Sequence, residues 1–157
     1  VLFKQLRSGI DNRDFYCYKF RTMKVNKLAD ELQAIKGDVR ITRVGAFLRK
    51  TNFDEFPQFL NVFKGEMSVV GPRPHMLKHT DEYSQLIDQY MVRQLVKPGI
   101  TGAAQVYGFR GETKTTEEME SRVKLDVWYI ENWSLLLDVK MVVLTVWNMI
   151  RGQEKAY

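Results

Sequence analysis

The residue pattern of this chain predicts an α+β domain, mainly helical with short β-hairpin strands. Three observations point there. An aromatic-rich run at residues 15–23 alternates roughly with polar residues after a turn at residues 9–14, as the second strand of a hairpin does. Two segments at 116–131 and 134–151 have helical length and spacing. Between them Pro and Gly break the chain into short pieces, with no repeat, no low-complexity run and no Pro/Gly/Ser linker. Residues 1–157 therefore read as one domain.

Each element has its own reason. Leu28, Leu32 and Ile35 are helically spaced, and Gly37-Asp38 ends that helix. Ile41, Val44, Phe47 and Leu48 predict a second short helix carrying Arg43, Arg49 and Lys50. The next helix is expected to begin near Asp54, because Pro57 fits only a first turn, where amides are unpaired anyway. Lys64-Gly65 stops it. Residues 67–70 read as a short strand. Gly71-Pro72-Arg73-Pro74 must be a stiff, non-helical turn, since each Pro fixes its own φ and holds its predecessor extended. Residues 81–95 read as a polar helix with Tyr83, Leu86, Ile87 and Tyr90 inward, and Lys97-Pro98-Gly99-Ile100-Thr101-Gly102 as a turn-rich loop.

The final helix, 134–151, is apolar over nearly its whole circumference, with a narrow polar stripe of Asp138, Thr145 and Asn148 and with Lys140 elsewhere. A helix lying on a water-soluble domain does not need that much apolar surface. Two readings stand: the helix is fully enclosed, or it is an amphipathic membrane-surface helix with Trp147 near the headgroups.

Composition narrows the function classes. The chain carries 24 Lys+Arg against 19 Asp+Glu, 45% apolar residues and one cysteine. It is long enough to build a core without staples, and the lone Cys17 can make no internal disulfide, which fits a reducing compartment. No run reaches the roughly 18–20 apolar residues of a spanning helix, and no signal peptide opens the chain. The first residue is Val rather than Met, and folded-type sequence starts at once, so the chain reads as a fragment of a longer protein. The charge is uneven: residues 1–50 hold 12 Lys/Arg and 5 Asp/Glu, residues 51–157 hold 12 and 14. A basic half attracts nucleotide phosphates, lipid headgroups or nucleic acid alike; a solvated basic face is the plain alternative.

Asp54-Glu55 is the leading candidate for chemistry. Adjacent carboxylates at a helix N-terminus are held ionised and nucleophilic by free amides and the dipole, and a divalent metal and phosphate can gather there. Acidic residues in a first turn also serve simply as caps. Arg49 upstream and Arg73 in its rigid turn tip the balance, because carboxylates flanked by guanidiniums suit phosphoryl transfer. A glycosidase is disfavoured: its acids straddle a bond at about 5 Å or more, and neighbours on a helix diverge by about 100°. Lys19 and Arg21 alternate on a strand and share a face that a diphosphate could meet. His75 and His79 have helical metal-pair spacing but no zincin Glu, so a solvated helix start is the simpler reading. Neither a Gly-x-x-x-x-Gly-Lys-Ser/Thr loop nor a Gly-x-Gly-x-x-Gly occurs.

Four ordered segments carry a resemblance: Lys19-Phe20-Arg21-Thr22-Met23, Leu48-Arg49-Lys50-Thr51-Asn52-Phe53-Asp54-Glu55-Phe56-Pro57-Gln58, Lys64-Gly65-Glu66-Met67-Ser68-Val69-Val70-Gly71-Pro72-Arg73-Pro74, and Val96-Lys97-Pro98-Gly99-Ile100-Thr101-Gly102. Together they resemble the bacterial sugar transferase family, the monotopic polyprenyl-phosphate phosphoglycosyl transferases. Tyr107-Gly108-Phe109-Arg110-Gly111-Glu112-Thr113, Trp133-Ser134 and Ala156-Tyr157 are most similar to undecaprenyl-phosphate glucose phosphotransferases of colanic-acid type. The chain departs from the family pattern at Asn52-Phe53, Phe56 and Ala103, and Phe109 separates Gly108 from Arg110.

The resemblance implies transfer of a sugar 1-phosphate from a UDP-sugar, UDP-glucose among them, to undecaprenyl phosphate. UMP leaves, Mg²⁺ assists, and a covalent phosphosugar–Asp intermediate forms, in a reaction that starts exopolysaccharide or capsule assembly. It implies Asp54 as nucleophile, Glu55 as its acidic partner, Mg²⁺ at this pair, and Lys19, Arg21, Arg49, Arg73 and Arg110 around substrate phosphates. Asp138 is implied as a supporting carboxylate. The family setting is the cytoplasmic face of the bacterial inner membrane, with no nucleic-acid partner, and an N-terminal re-entrant anchor helix absent from this chain. The alternative is a non-catalytic basic module that binds anionic lipid or nucleic acid.

Overall fold

The structure is a computed structural model that describes residues 2–25, 38–109 and 115–151, apart from the side chains of Lys78 and His79. The helix expected at Leu28 to Ile35 and the Arg110 region lie outside the described residues. Strands β1 (Leu2–Ser8) and β2 (Asp14–Phe20) form the expected antiparallel hairpin, with Leu2 opposite Phe20 and Ser8 opposite Asp14. Its turn uses Asp11 and Asn12 at positive φ, 53° and 58°, a region that short polar side chains tolerate. Alternation puts Phe15 and Cys17 inward against Met67, with Lys19 next on the same face.

Helix α1 (Arg43–Thr51) starts at Thr42, whose hydroxyl accepts from the Gly45 amide at 3.0 Å. It lies so close to residue 22 that a Cβ on Gly45 would stand 1.9 Å from the Thr22 carbonyl oxygen. Asn52, at φ 59°, ends α1 and turns the chain into a 3₁₀ turn, Phe53–Glu55. Only then does α2 (Gln58–Phe63) begin, with Pro57 as its N-cap. Asp54-Glu55 thus does not open the α-helix as the sequence predicts. The left-handed Asn52 places the pair one turn earlier, on a separate tight turn.

Helix α2 buries its polar side. Gln58 is 2% and Asn61 0% exposed, whereas Phe59, Leu60 and Phe63 are 50%, 51% and 93% exposed. The reason is the free edge of β2. Asn61 Oδ1 accepts from the Tyr18 amide at 3.0 Å, and its Nδ2 donates to the Tyr16 carbonyl at 2.7 Å and to Glu66 at 2.7 Å. One side-chain amide thereby stands in for a neighbouring strand.

Strands β3 (Ser68–Val70) and β4 (Gly99–Thr101) pair in parallel, Ser68 with Gly99 and Val70 with Thr101. The segment read as a loop at 97–102 therefore contains a strand. Gly99 permits it: a Cβ there would lie 2.1 Å from the Gly71 nitrogen. The helix predicted at 81–95 is two pieces, α3 (Leu77–Leu86) and a 3₁₀ segment Tyr90–Leu95, broken at Gln89 with φ 63°. Leu86 accordingly faces solvent, while Ile87 and Tyr90 go into the core with Met119, Val123 and Val127.

Helix α4 (Ala103–Val106) and the long helices α5 (Thr116–Glu131) and α6 (Leu135–Arg151) complete the fold. Val70, Ala103, Val106, Tyr129 and Met141 form their shared core. The enclosed reading of α6 is overturned: Leu135, Leu136, Val143 and Ile150 are 60–80% exposed. Its polar stripe faces inward instead. Asp138 accepts from the Tyr129 hydroxyl at 2.6 Å, Thr145 meets Thr101 at 2.6 Å, and Asn148 donates to the Val106 carbonyl at 3.0 Å. No helix among the described residues is long and apolar enough to cross a membrane.

Asn61→Ala strips partners from the Tyr16 carbonyl and Tyr18 amide and is expected to cost about 2–4 kcal/mol, read as a clear fall in melting temperature. Phe63→Ser, at a 93% exposed position, should leave that temperature unchanged.

Candidate functional site

The 3₁₀ turn gives its adjacent carboxylates unlike surroundings. Glu55 is buried at 6% exposure. Its Oε1 accepts from Lys19 Nζ at 2.8 Å and from Arg73 Nη2 at 2.7 Å, and its Oε2 from Arg73 Nη1 at 3.4 Å. Asp54 is half-buried, and no hydrogen bond or ion pair among the described residues engages its carboxylate. One acid is locked; its neighbour is available.

Each cation arrives by a local structural route. Lys19 sits on the inward face of β2, two residues beyond Cys17. Arg73 is carried by the Pro72-Arg73-Pro74 turn, which hangs on β4 through the Gly99 amide to the Pro72 carbonyl at 2.9 Å and the Gly71 amide to the Thr101 carbonyl at 2.8 Å. Burial opposes the charge on Arg73, but Glu55 outweighs it and holds the guanidinium protonated beyond its ordinary range. Arg49, on α1, donates from Nε to the Thr22 hydroxyl at 2.8 Å. Thr22 as the anchor of Arg49 is a role that sequence reasoning missed, although the residue lies inside the quoted Lys19-to-Met23 motif.

Burial pushes the Asp54 carboxyl above its usual value, and the Glu55 charge adds to this; Lys19, Arg49 and Arg73 pull the other way. This corrects the expectation that a helix N-terminus keeps Asp54 ionised with ease: the pair stands on a 3₁₀ turn, partly desolvated and beside a like charge.

The other candidates fall elsewhere. Arg21 is exposed, with its guanidinium 6.0 Å over the Phe3 ring, and no hydrogen bond or ion pair among the described residues joins it to the acidic pair. Asp138 is held at the start of α6 by Tyr129 and, at 3.2 Å, by Trp133 Nε1. Arg110 and the His79 side chain lie outside the described set. His75 is no solvated helix start: it is buried at 7% exposure, with Nδ1 2.6 Å from the Tyr90 hydroxyl. Among the described residues no group of three or more His, Cys, Asp or Glu is arranged to hold a metal.

The sequence matches the family described as Bacterial sugar transferase over residues 1–152. The chain belongs to the bacterial sugar transferase family. This sugar transferase chain is 53% identical over 149 residues to the UDP-glucose:undecaprenyl-phosphate glucose-1-phosphate transferase of Klebsiella pneumoniae, covering 94% of this chain and 32% of that protein. It is 50% identical over 159 residues to the protein of the same name from Xanthomonas campestris pv. campestris, covering 100% of this chain and 33% of that protein. It is 44% identical over 153 residues to a UDP-N-acetylgalactosamine-undecaprenyl-phosphate N-acetylgalactosaminephosphotransferase of Aeromonas hydrophila, covering 97% and 36%. The sugar transferase chain thus spans about a third of the length of these relatives.

A folded-state pKa above the unfolded value near 3.8 means that ionised Asp54 weakens the fold: the cost appears as pH rises through that raised value. Asp54→Asn is therefore expected to raise the melting temperature near neutral pH, with the gain vanishing near about pH 3, where both forms are uncharged. Thermal melts across pH check this.

Proposed function

We propose that this domain catalyses transfer of a sugar 1-phosphate from a UDP-sugar to undecaprenyl phosphate, releasing UMP. The observation that carries the reading is the unequal acidic pair: an uncommitted carboxylate, Asp54, beside a buried one clamped by two cations, with Arg49 adding a third. In this reading Asp54 attacks the β-phosphorus of the donor. A phosphorus–oxygen bond forms to Asp54, the bond to the bridging oxygen breaks, and UMP departs with that oxygen. A phosphate oxygen of the lipid acceptor then attacks the same phosphorus and frees the Asp54 carboxylate. Arg73, Arg49 and Lys19 offset charge on the equatorial oxygens throughout.

Two adjacent hard carboxylates fit a Mg²⁺ ion, which is commonly bound through one or two protein carboxylates while substrate phosphates and water fill its other positions. Asp54, the available acid of the pair, would hold it, with Glu55 already engaged by Lys19 and Arg73, and it would supply Lewis-acid stabilisation of charge on the phosphates. Glucose is the first donor sugar to test, since it appears in the names of the more similar relatives.

The acceptor's lipid nature is supported by what borders Asp54. Phe53, Phe56 and Phe59 form a ladder with ring centroids 4.7 Å and 6.3 Å apart, and Leu60 and Phe63 extend the exposed face. An exposed aromatic strip beside a catalytic acid suits a membrane surface that delivers a phosphate-headed lipid. The outward face of α6, with Arg151 4.5 Å over the Trp147 ring, is assigned to the same surface.

With full-length protein, Mg²⁺, UDP-glucose and undecaprenyl phosphate, UMP release is expected. Asp54→Asn should lower it by at least about 10⁴-fold and abolish a labelled sugar-phosphate adduct. Release of no UMP from any UDP-sugar, or an adduct that survives Asp54→Asn, overturns the reading. The acid limb of the kcat/KM profile should lie above the range of an ordinary aspartate. Phe59→Ser with Phe63→Ser should weaken binding to phosphatidylglycerol-containing vesicles by at least about 10-fold without loss of melting temperature.

A further inference from the structure

Away from the acidic pair, Arg93 and Asp126 form an ion pair with Nε 2.8 Å from Oδ2 and side chains 5% and 2% exposed. Each charge at that depth has lost hydration worth several kcal/mol, and a buried pair of this kind is often no more stabilising than apolar residues of equal volume. Stability alone does not account for it. The rest of the Arg93 guanidinium shows what else it does. Nη2 donates to the Arg73 carbonyl at 2.9 Å, and Nη1 lies 3.1 Å from His75 Nδ1. Nη2 is also 3.4 Å from His75 Nε2, which Arg122 Nη1 meets at 3.5 Å, while Tyr90 holds Nδ1. All these contacts converge on the turn that carries Arg73.

Pro72 and Pro74 fix their own φ angles and keep Arg73 broadly extended, a range within which the Arg73 carbonyl can still turn by some tens of degrees. Arg93 closes that freedom, and Asp126 holds Arg93. We propose that the buried Arg93–Asp126 pair is a positioning element for Arg73: it sets the peptide plane from which the Arg73 guanidinium reaches Glu55 and the donor phosphates. Contact of Arg73 with the donor rests on the function proposed above; the orientation of Arg73 by Arg93 does not.

The test uses the full-length enzyme carrying Arg93→Met, Asp126→Asn, or the volume-conserving pair Arg93→Met with Asp126→Leu, which removes both buried charges together. Variants that keep their melting temperature are expected to lose about 100-fold in kcat/KM, the size of loss a displacement of about 1 Å brings, mostly in kcat. In an Arg73→Lys background the same substitutions should cost little more, because the group being positioned is gone. A loss that adds fully to that of Arg73→Lys, or wild-type turnover in the folded paired variant, overturns the proposal. So does failure of the paired variant to fold, which makes the pair a structural requirement. A second readout needs no turnover: the Arg73 Nε–H resonance should be slow to exchange in the wild-type protein and average toward that of an exposed arginine in Arg93→Met. An unchanged resonance overturns the positioning role, whereas absence of UMP release from the wild-type enzyme counts against the function alone.

Discussion

Taking the Glu55 carboxylate out of water to 6% exposure costs several kcal/mol, a cost that only close, well-directed countercharge can offset. The offset comes from Lys19 on β2, 36 residues before it, and Arg73 on the proline turn, 18 residues after it. Hairpin, 3₁₀ turn and proline turn are thus tied at one carboxylate. Loss of Glu55 takes this partner from both cations, and loss of either cation leaves the buried carboxylate one countercharge short, so the site and the local fold stand together. The tie also explains why adjacent acids differ. Both cations are directed at Glu55, and Asp54 feels them through space without being bonded by them.

Two helices of this fold turn polar groups inward and leave large apolar side chains outward. Helix α2 buries Gln58 and Asn61 and exposes Phe59, Leu60 and Phe63; α6 buries contacts from Asp138, Thr145 and Asn148 and exposes Leu135, Leu136, Val143 and Ile150. In each case the inward polar groups meet backbone or hydroxyl partners offered by neighbouring elements: the open edge of β2, the Val106 carbonyl at the end of α4, the Thr101 hydroxyl on β4. Short two-stranded sheets have many such edges, and covering them with polar helix faces turns the apolar faces outward. The apolar exterior is therefore coupled to the polar interior by the same helices.

The hairpin, α1, α5 and α6 were legible in the sequence because each is long enough to show its period, and the stiffness of the Arg73 turn followed from its prolines. Strand β3 was read as well, at residues 67–70, but β4 was not: three residues show no alternation, and β4 depends on glycines packed backbone to backbone. The break in 81–95 turns on one left-handed Gln89, a residue with no strong preference for that conformation. Asp54 and Glu55 stood out by motif, but which acid is buried depends on Asn52 rotating the turn, a geometric fact. The inverted polarity of α6 was visible as a polar stripe; the direction it faces was not, since periodicity marks a face without saying what lies opposite it. His75 was misread as a solvated helix start because its partners, Tyr90, Arg93 and Arg122, come from two other segments.

The outward apolar faces and the raised Asp54 bear on one another. Asp54 is half-buried, between an exposed aromatic, Phe53, and a buried carboxylate, Glu55. A lipid surface against the exposed rings would remove more of its water. Further loss of water alone would push Asp54 toward its protonated, unreactive form. The same loss lowers the local dielectric, which strengthens the attraction of Lys19, Arg49 and Arg73 for negative charge. The three cations pull against burial and the like charge of Glu55, which together still hold the Asp54 carboxyl above its usual value. A diphosphate arriving in the same space is then drawn by cations that Glu55 has neutralised only in part. A site of this kind needs its surplus of positive charge within reach of Asp54, and the fold supplies it from three separate segments: the hairpin, α1 and the proline turn.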